Sequence, residues 1–439
     1  MTPIVWNQER FMATSGDMSH WDWNIGKKVI ADLHQWRKSF EWLEEPYVSP
    51  DGETIAAVVR TKDGMFSVCV NGDLWETRSD KIWSLRFSPD NRPAAFVSNQ
   101  GLWTIAVGGR PWLNTYEFVW DLHFGEGGGP VIVAAVNKGR YVAVSDGVPW
   151  SQGYSFMTGL VVSDDGGHSA AVVQSAAFNP GDIFAFQKGC YTVAVDGRPW
   201  DRSFVNVWEM SFNPDGTRLA AEVRTTLYDY TIAVDGRPWD RSFSSVWQPK
   251  FNPADGSVTA PVKVKGGWTL ARDGEVFWDQ RFCQLLHHYH SPDGSAVAAI
   301  VAPEFARWSV AVNGLLWPKT FNHLITDLTF SPDGKHVACA ARKDGRWTIA
   351  VDGLCWDLAF DMAWTPVFSP DSCHVAAKVE KAGRFFILVD GRPLKLEFAG
   401  AWNPVFSPDG CKLMIRGIGG SEKELSYCRY VFDMSGLPV

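Results

Sequence analysis

The sequence predicts an all-β fold, a propeller of about ten four-stranded blades, on three observations. A first turn, clearest as Phe330-Ser331-Pro332-Asp333-Gly334, recurs at Ser49, Ser88, Gly125, Ser163, Asn213, Asn252, Ser291, Ser331, Ser369 and Ser407. A second turn, clearest as Val195-Asp196-Gly197-Arg198-Pro199-Trp200, keeps phase with it at Gly72, Gly109, Gly147, Gly197, Gly236, Gly274, Gly314, Gly353 and Gly391. Steps between first turns run about 37 to 40 residues, except from Ser163 to Asn213. Self-similarity at such a period is the mark of a repeat architecture.

Each unit supplies its strands in a fixed order. In one unit Trp208 to Phe212 precedes the first turn, Arg218 to Val223 follows it, and Tyr230 to Val234 leads into the second turn. The segment Trp239 to Phe243 completes the unit. In the first turn, Pro presets φ at the second position, which is type I chemistry. Asp-Gly between two β-branched or aromatic runs signals a type I′ hairpin, which needs positive φ twice. Four short strands in about 39 residues match one propeller blade.

The termini point to closure. Asp32, Trp36 and Phe40 keep the spacing of Asp196, Trp200 and Phe204, while the last unit stops after Ser426 to Asp433 without its fourth strand. An amino-terminal strand would complete it and hide two edges. The expected organisation is an amino-terminal arm over 1–31 and a propeller over 32–439 with an insertion near 175–188. A single ring is favoured, with two smaller rings as the alternative.

Composition narrows the function classes. The 439 residues carry a net charge of −8 and no run of lysine or arginine, so nucleic acid is not an expected partner. No segment approaches the roughly 20 apolar residues of a membrane span, and the first 30 residues lack the apolar region of a secretory signal. Eight cysteines stand singly, with no CxxC pair and no haem or cluster motif. They read as reduced core thiols of a cytoplasmic protein.

Eighteen of the 23 tryptophans fall in register with the repeat. Trp83, Trp120, Trp208, Trp247, Trp364 and Trp402 open the first strand; Trp103, Trp268, Trp308 and Trp347 begin the third; eight more follow the second turn. Aromatics at one place in successive blades pack between sheets and bury large area. Ligand stacking or electron relay would not need three structural registers. Trp6, Trp21 and Trp23 precede the repeats and are candidates for docking a partner, or for folding back over the blades.

Departures from the repeat are the places to look for function. In His287-His288-Tyr289-His290, His288 and His290 share a strand face by period-two alternation and are weak candidates for a metal. No third ligand is identifiable, and a hydrogen-bonded pair is the plainer account. The insertion, with Phe178 and Phe184, suggests a projecting hairpin that could dock a partner. Gly125-Glu-Gly-Gly-Gly129 lacks the lysine and following helix of a phosphate loop and reads as a flexible loop. Nucleophile elbow, zinc-protease, Walker and dinucleotide motifs are all missing, and no acid pair stands out for acid–base work. No catalytic residue and no cofactor is expected.

The Phe-Ser-Pro-Asp-Gly turn with its apolar strand resembles the PD40 or TolB-type WD40-like propeller repeat over nearly the whole chain. The second half, Val-Asp-Gly-Arg-Pro-Trp, is not typical of those families. With the tryptophan content and size, it is similar to the tryptophan-rich cytoplasmic subunits (TmcD) of the Tmc transmembrane redox complex of sulfate-reducing bacteria. That resemblance implies an accessory subunit without cofactors, peripheral on the inner face of the cytoplasmic membrane. Its partners would be an iron–sulfur protein, a membrane cytochrome b and a periplasmic multihaem cytochrome c. The expected function is a non-enzymatic docking subunit. The alternatives are a soluble enzyme or small-ligand binder using the central channel, and an interaction platform unrelated to redox chemistry.

Overall fold

The computed structural model describes residues 17–177, 182–420 and 424–437. Its fold is an all-β propeller of ten blades, each a four-stranded antiparallel sheet with neighbours in chain order. Blades 1 to 9 span 42–74, 81–111, 118–149, 157–199, 206–238, 250–276, 284–316, 324–355 and 362–393, and blade 10 is built from 400–433 and 26–32. The chain divides into two compact units. One holds blades 1, 2, 8, 9 and 10, and the other holds blades 3 to 7.

Both turns form as their residues dictate. In the first turn of blade 8 the Gly334 amide donates to the Ser331 carbonyl at 2.9 Å. The Ser331 hydroxyl donates to Asp333 at 2.6 Å and accepts from the His336 amide at 2.9 Å. The Ser331 hydroxyl, and after it the Lys335 amide, bond the ionised form and hold the Asp333 carboxyl below its usual range. In the second turn Asp196 and Gly197 take φ of 50° and 78°, the double positive φ of a type I′ hairpin. Asp196 also accepts from the Ser169 amide at 2.9 Å, tying the hairpin to the second strand.

Proline decides the shape of the first strand. In blades 1, 9 and 10 that strand is split into two short pieces, at 42–43 and 47–48, 362–363 and 367–368, and 400–401 and 405–406. Pro46, Pro366 and Pro404 lie in or beside the gaps, where a residue without an N–H cannot continue the ladder. In blades 2, 3, 4, 5, 7 and 8 the strand is continuous and carries a bulge instead, as between Trp83 and Arg86.

The closing strand comes from the amino terminus, but from Gly26–Asp32 rather than from the segment after Asp32. It pairs antiparallel with Ser426–Asp433. Beyond it, Asp32 caps the helix Leu33–Ser39, accepting from the His34 and Gln35 amides at 3.0 and 3.1 Å. The propeller therefore begins six residues before the expected boundary at 32. The spacing argument still located Trp36 correctly, since it is buried beside Gly72 of the next second turn.

The insertion departs from expectation as well. Its described part forms a short helix, Ile183–Gln187, in place of a hairpin. The glycine-rich segment is needed for close packing: a Cβ on Gly125 would lie 2.5 Å from the Asp165 carbonyl oxygen of the next blade, so only glycine fits. Among the cysteines, Cys69, Cys190, Cys339 and Cys428 are buried as expected, whereas Cys283, Cys373 and Cys411 are exposed because they fall on strand ends and first turns.

Candidate docking surface

The three tryptophan registers meet different fates. Those following the second turn cover the glycine of the next blade's second turn. A Cβ on Gly109 would lie 3.0 Å from Trp75, one on Gly197 3.0 Å from Trp150, and one on Gly236 3.3 Å from Trp200. Those opening the third strand are buried at Trp103, Trp268 and Trp347. Both registers pack between sheets, as expected.

The first-strand register does not. Trp83, Trp208 and Trp247 keep 49%, 40% and 37% of their surface, and Trp42, Phe118 and Phe156, two positions earlier in blades 1, 3 and 4, are exposed as well. Trp120, Trp364 and Trp402 are half-buried. The first strand is an edge of its sheet, so one flank of each ring has no neighbouring strand. Ile82 and Leu85 bury themselves in the seam with blade 1, and alternation leaves Trp83 off that core. The other flank of each ring is braced by the aromatic that opens the third strand. Trp83 lies 4.7 Å from Trp103, Trp247 lies 4.6 Å from Trp268 at an interplanar angle of 2°, and Trp208 lies 5.9 Å from Tyr230. The Trp247 indole N–H donates to the Leu285 carbonyl of blade 7 at 3.1 Å. These rings are rigid and half in water, the pattern that interface aromatics adopt.

Of the amino-terminal candidates, Trp21 and Trp23 fold back onto the first unit. Their rings stack at 6.1 Å, and the Lys412 ammonium donates to the Trp23 carbonyl at 3.0 Å. The Arg429 guanidinium donates to the Asp22 carbonyl. Trp6 and Phe178 lie outside the described residues. Phe184 is exposed on the insertion helix beside Ile183.

His288 and His290 do lie on one face, but they meet a hydroxyl. Thr259 Oγ1 of blade 6 lies 2.9 Å from Nε2 of His288 and 2.8 Å from Nε2 of His290. The same hydroxyl also reaches the Lys250 carbonyl at 3.3 Å, so it has one proton to give among three neighbours and accepts from at least one ring. Burial, aided by Lys250, pushes His288 well below its ordinary pKa. Burial and Arg272 bring His290 down to about 4. Both are neutral, and both Nε2 atoms are committed. The two rings thus share a threonine hydroxyl, and among the described residues no group of three His, Cys, Asp or Glu could hold a metal.

Sequence reasoning missed one acidic residue. At the fourth position of the second strand most blades place an apolar side chain, such as Val58, Phe96, Ala134, Val172 or Ile300, but blade 5 places Glu222. A Leu-Ala-Ala-Glu-Val run, the one acidic side chain in a register that is apolar in most blades and basic at Lys378 and Arg416, was the available signal. Burial, and then the neighbouring Glu209 charge, raise its carboxyl to about 8.

The fold and these surfaces define a β-propeller. A family model for the WD domain, G-beta repeat, matches residues 318–349, about one repeat. No curated protein matches the chain by sequence. Similar solved structures include a eukaryotic initiation factor, at 14% identity and TM-score 0.47, covering 81% of this chain and 96% of that one. The Dos1 propeller matches at 13% identity and TM-score 0.37, covering 93% and 94%. A putative TolB from Agrobacterium tumefaciens matches at 19% and 0.27, covering 47% and 81%. These are likenesses of fold. Among the described residues no helix is long and apolar enough to cross a membrane.

Proposed function

We propose that this protein is a scaffold on which other proteins dock, and that the half-exposed aromatics of the first strands give each unit a contact surface of its own, with Trp42 and Trp83 in one and Trp208 and Trp247 in the other. The observation that carries this is the exposure of Trp42, Trp83, Trp208 and Trp247 on rigid strands. Large aromatics held in one orientation lose little side-chain entropy on binding and dominate interface energetics.

The finer reading is that the partners belong to a membrane redox complex: an iron–sulfur protein, a membrane cytochrome b and a periplasmic multihaem cytochrome c. Its support is the resemblance in overall character, the tryptophan content and size together with an atypical second half of the repeat, with no signature motif. Purification of the tagged protein from native membranes tests it. Recovery of haem and iron–sulfur subunits supports the placement, and a wholly soluble partner set rejects it while leaving the scaffold intact. The contact surface is tested separately by Trp83→Ser with Trp247→Ser. Loss of partners with the cooperative thermal transition retained is expected, and retention of every partner would reject the surface. A substrate turned over by the purified protein would overturn the scaffold reading itself.

A further inference from the structure

Glu222 is a charge-bearing group the fold does not need. Val207 pairs with Val223 and Met210 with Ala221, so the bulge sets Trp208 and Glu209 together opposite Glu222. Ala220 and Ile232 pack against Phe243, which pairs with Tyr230 of their own unit, and against Val246 and Ala260 on the blade 6 side, and alternation turns Glu222 toward the same seam. The side chain keeps 8% of its surface, and the influences on its carboxyl are burial and Glu209, with no hydrogen bond and no cation. Arg224, two residues along on the same face, is engaged elsewhere. Its guanidinium donates to the Thr226 and Leu227 carbonyls and lies 5.5 Å from the Tyr230 ring.

An unpartnered carboxyl in a seam is destabilising, and apolar residues fill this register in most other blades. What it lacks is a cation. Beside it stand an exposed carboxylate, Glu209, and the open face of Trp208, whose other side is covered by Tyr230. A ring face and a carboxylate attract the same ligand.

We propose that blade 5 binds a basic side chain of a docking partner, a lysine or arginine that passes the ring of Trp208 and ends between the carboxyl groups of Glu209 and Glu222. The occupant follows from charge complementarity, since both groups are acidic and neither has a partner cation in the fold. This inference rests on the docking reading above and names the chemistry that reading requires of one partner.

The probe is butylguanidinium, followed by titration calorimetry in two buffers of different ionisation heat. At pH 7 a protonated Glu222 must ionise to receive the cation, so binding should release about one proton. At pH 9 the release should vanish and the affinity should rise about tenfold, because the ionised fraction does. Glu222→Gln should abolish the release, and Glu209→Gln, at an exposed position, should weaken binding several-fold. Failure to saturate, binding without proton release, or binding unchanged in both carboxyl variants would overturn the proposal. If the probe fails while capture of partners from membranes still depends on Trp83 and Trp247, the docking surface survives and the cation site falls. If both fail, both fall.

Discussion

Blades 5 and 10 place opposite charges at the same register of the second strand, Glu222 in one and Arg416 in the other. Arg416 is 2% exposed and reaches across the closing seam. Its guanidinium donates to the Ser49 and Pro50 carbonyls of blade 1 at 3.1 and 3.2 Å, and to the Asn403 carbonyl at 2.9 Å. Tyr427 donates to the Gly52 carbonyl at 2.9 Å, and Arg429 donates to the Asp51 carbonyl at 2.9 Å and lies 3.4 Å from Glu53. Here buried polar groups stitch first and last blades together. Glu222 has no such set, and the protein meets the cost by keeping its proton. A buried ionisable group is structural where several hydrogen bonds tie it across a seam, and a candidate for function where it has none.

The largest expected effect comes from breaking the hydrogen-bonded site. Arg416→Met keeps the aliphatic stem but strips three carbonyls of their donor, and should cost about 3–5 kcal/mol. The denaturant midpoint should fall accordingly. An unchanged midpoint would mean that closure does not depend on the guanidinium.

Next is the pH dependence of the incomplete site. The folded-state carboxyl of Glu222 titrates near 8 against an ordinary value of 4.5, so the folded form holds a proton that the unfolded chain has lost. The stability tied to it is full below about pH 4.5 and is lost as pH rises through 8, a change of a few kcal/mol. Melting temperature measured from pH 5 to pH 9 should show this fall in the wild type and a flatter profile in Glu222→Gln. At pH 7 the same variant should be more stable by about 1–3 kcal/mol, opposite in sign to Arg416→Met.

The blade 6–7 seam sharpens the contrast. Thr259→Val would remove the hydroxyl shared by His288 and His290, leaving two buried imidazoles without it, and should cost about 1–3 kcal/mol by thermal denaturation. The smallest effect belongs to the open surface. Trp83→Ser should change stability by about 1 kcal/mol or less, because nearly half of that ring is already in water.

Much of this molecule was legible because repeat and turn chemistry are local. Ser331, Pro332, Asp333 and Gly334 bond within their own turn, and the Asp196-Gly197 hairpin needs only its own φ angles. The closing strand was legible in principle but displaced, because the spacing of Asp32 and Trp36 was kept by a capped helix where a strand was expected. The candidate surface was not legible. Trp83 and Trp103 look alike in sequence, yet one lies on a sheet edge and the other is buried in the interior of the sheet.

The chain's own order of residues determined the blade, its four strands, its two turns and the number of copies, since each rests on contacts between residues close in sequence. Tertiary structure alone decided which aromatics stay in water and which buried charges find partners. Those outcomes depend on atoms brought across a seam from the adjoining blade, such as Ser49 beside Arg416 and Thr259 beside His288. No local pattern encodes the neighbour a side chain will meet.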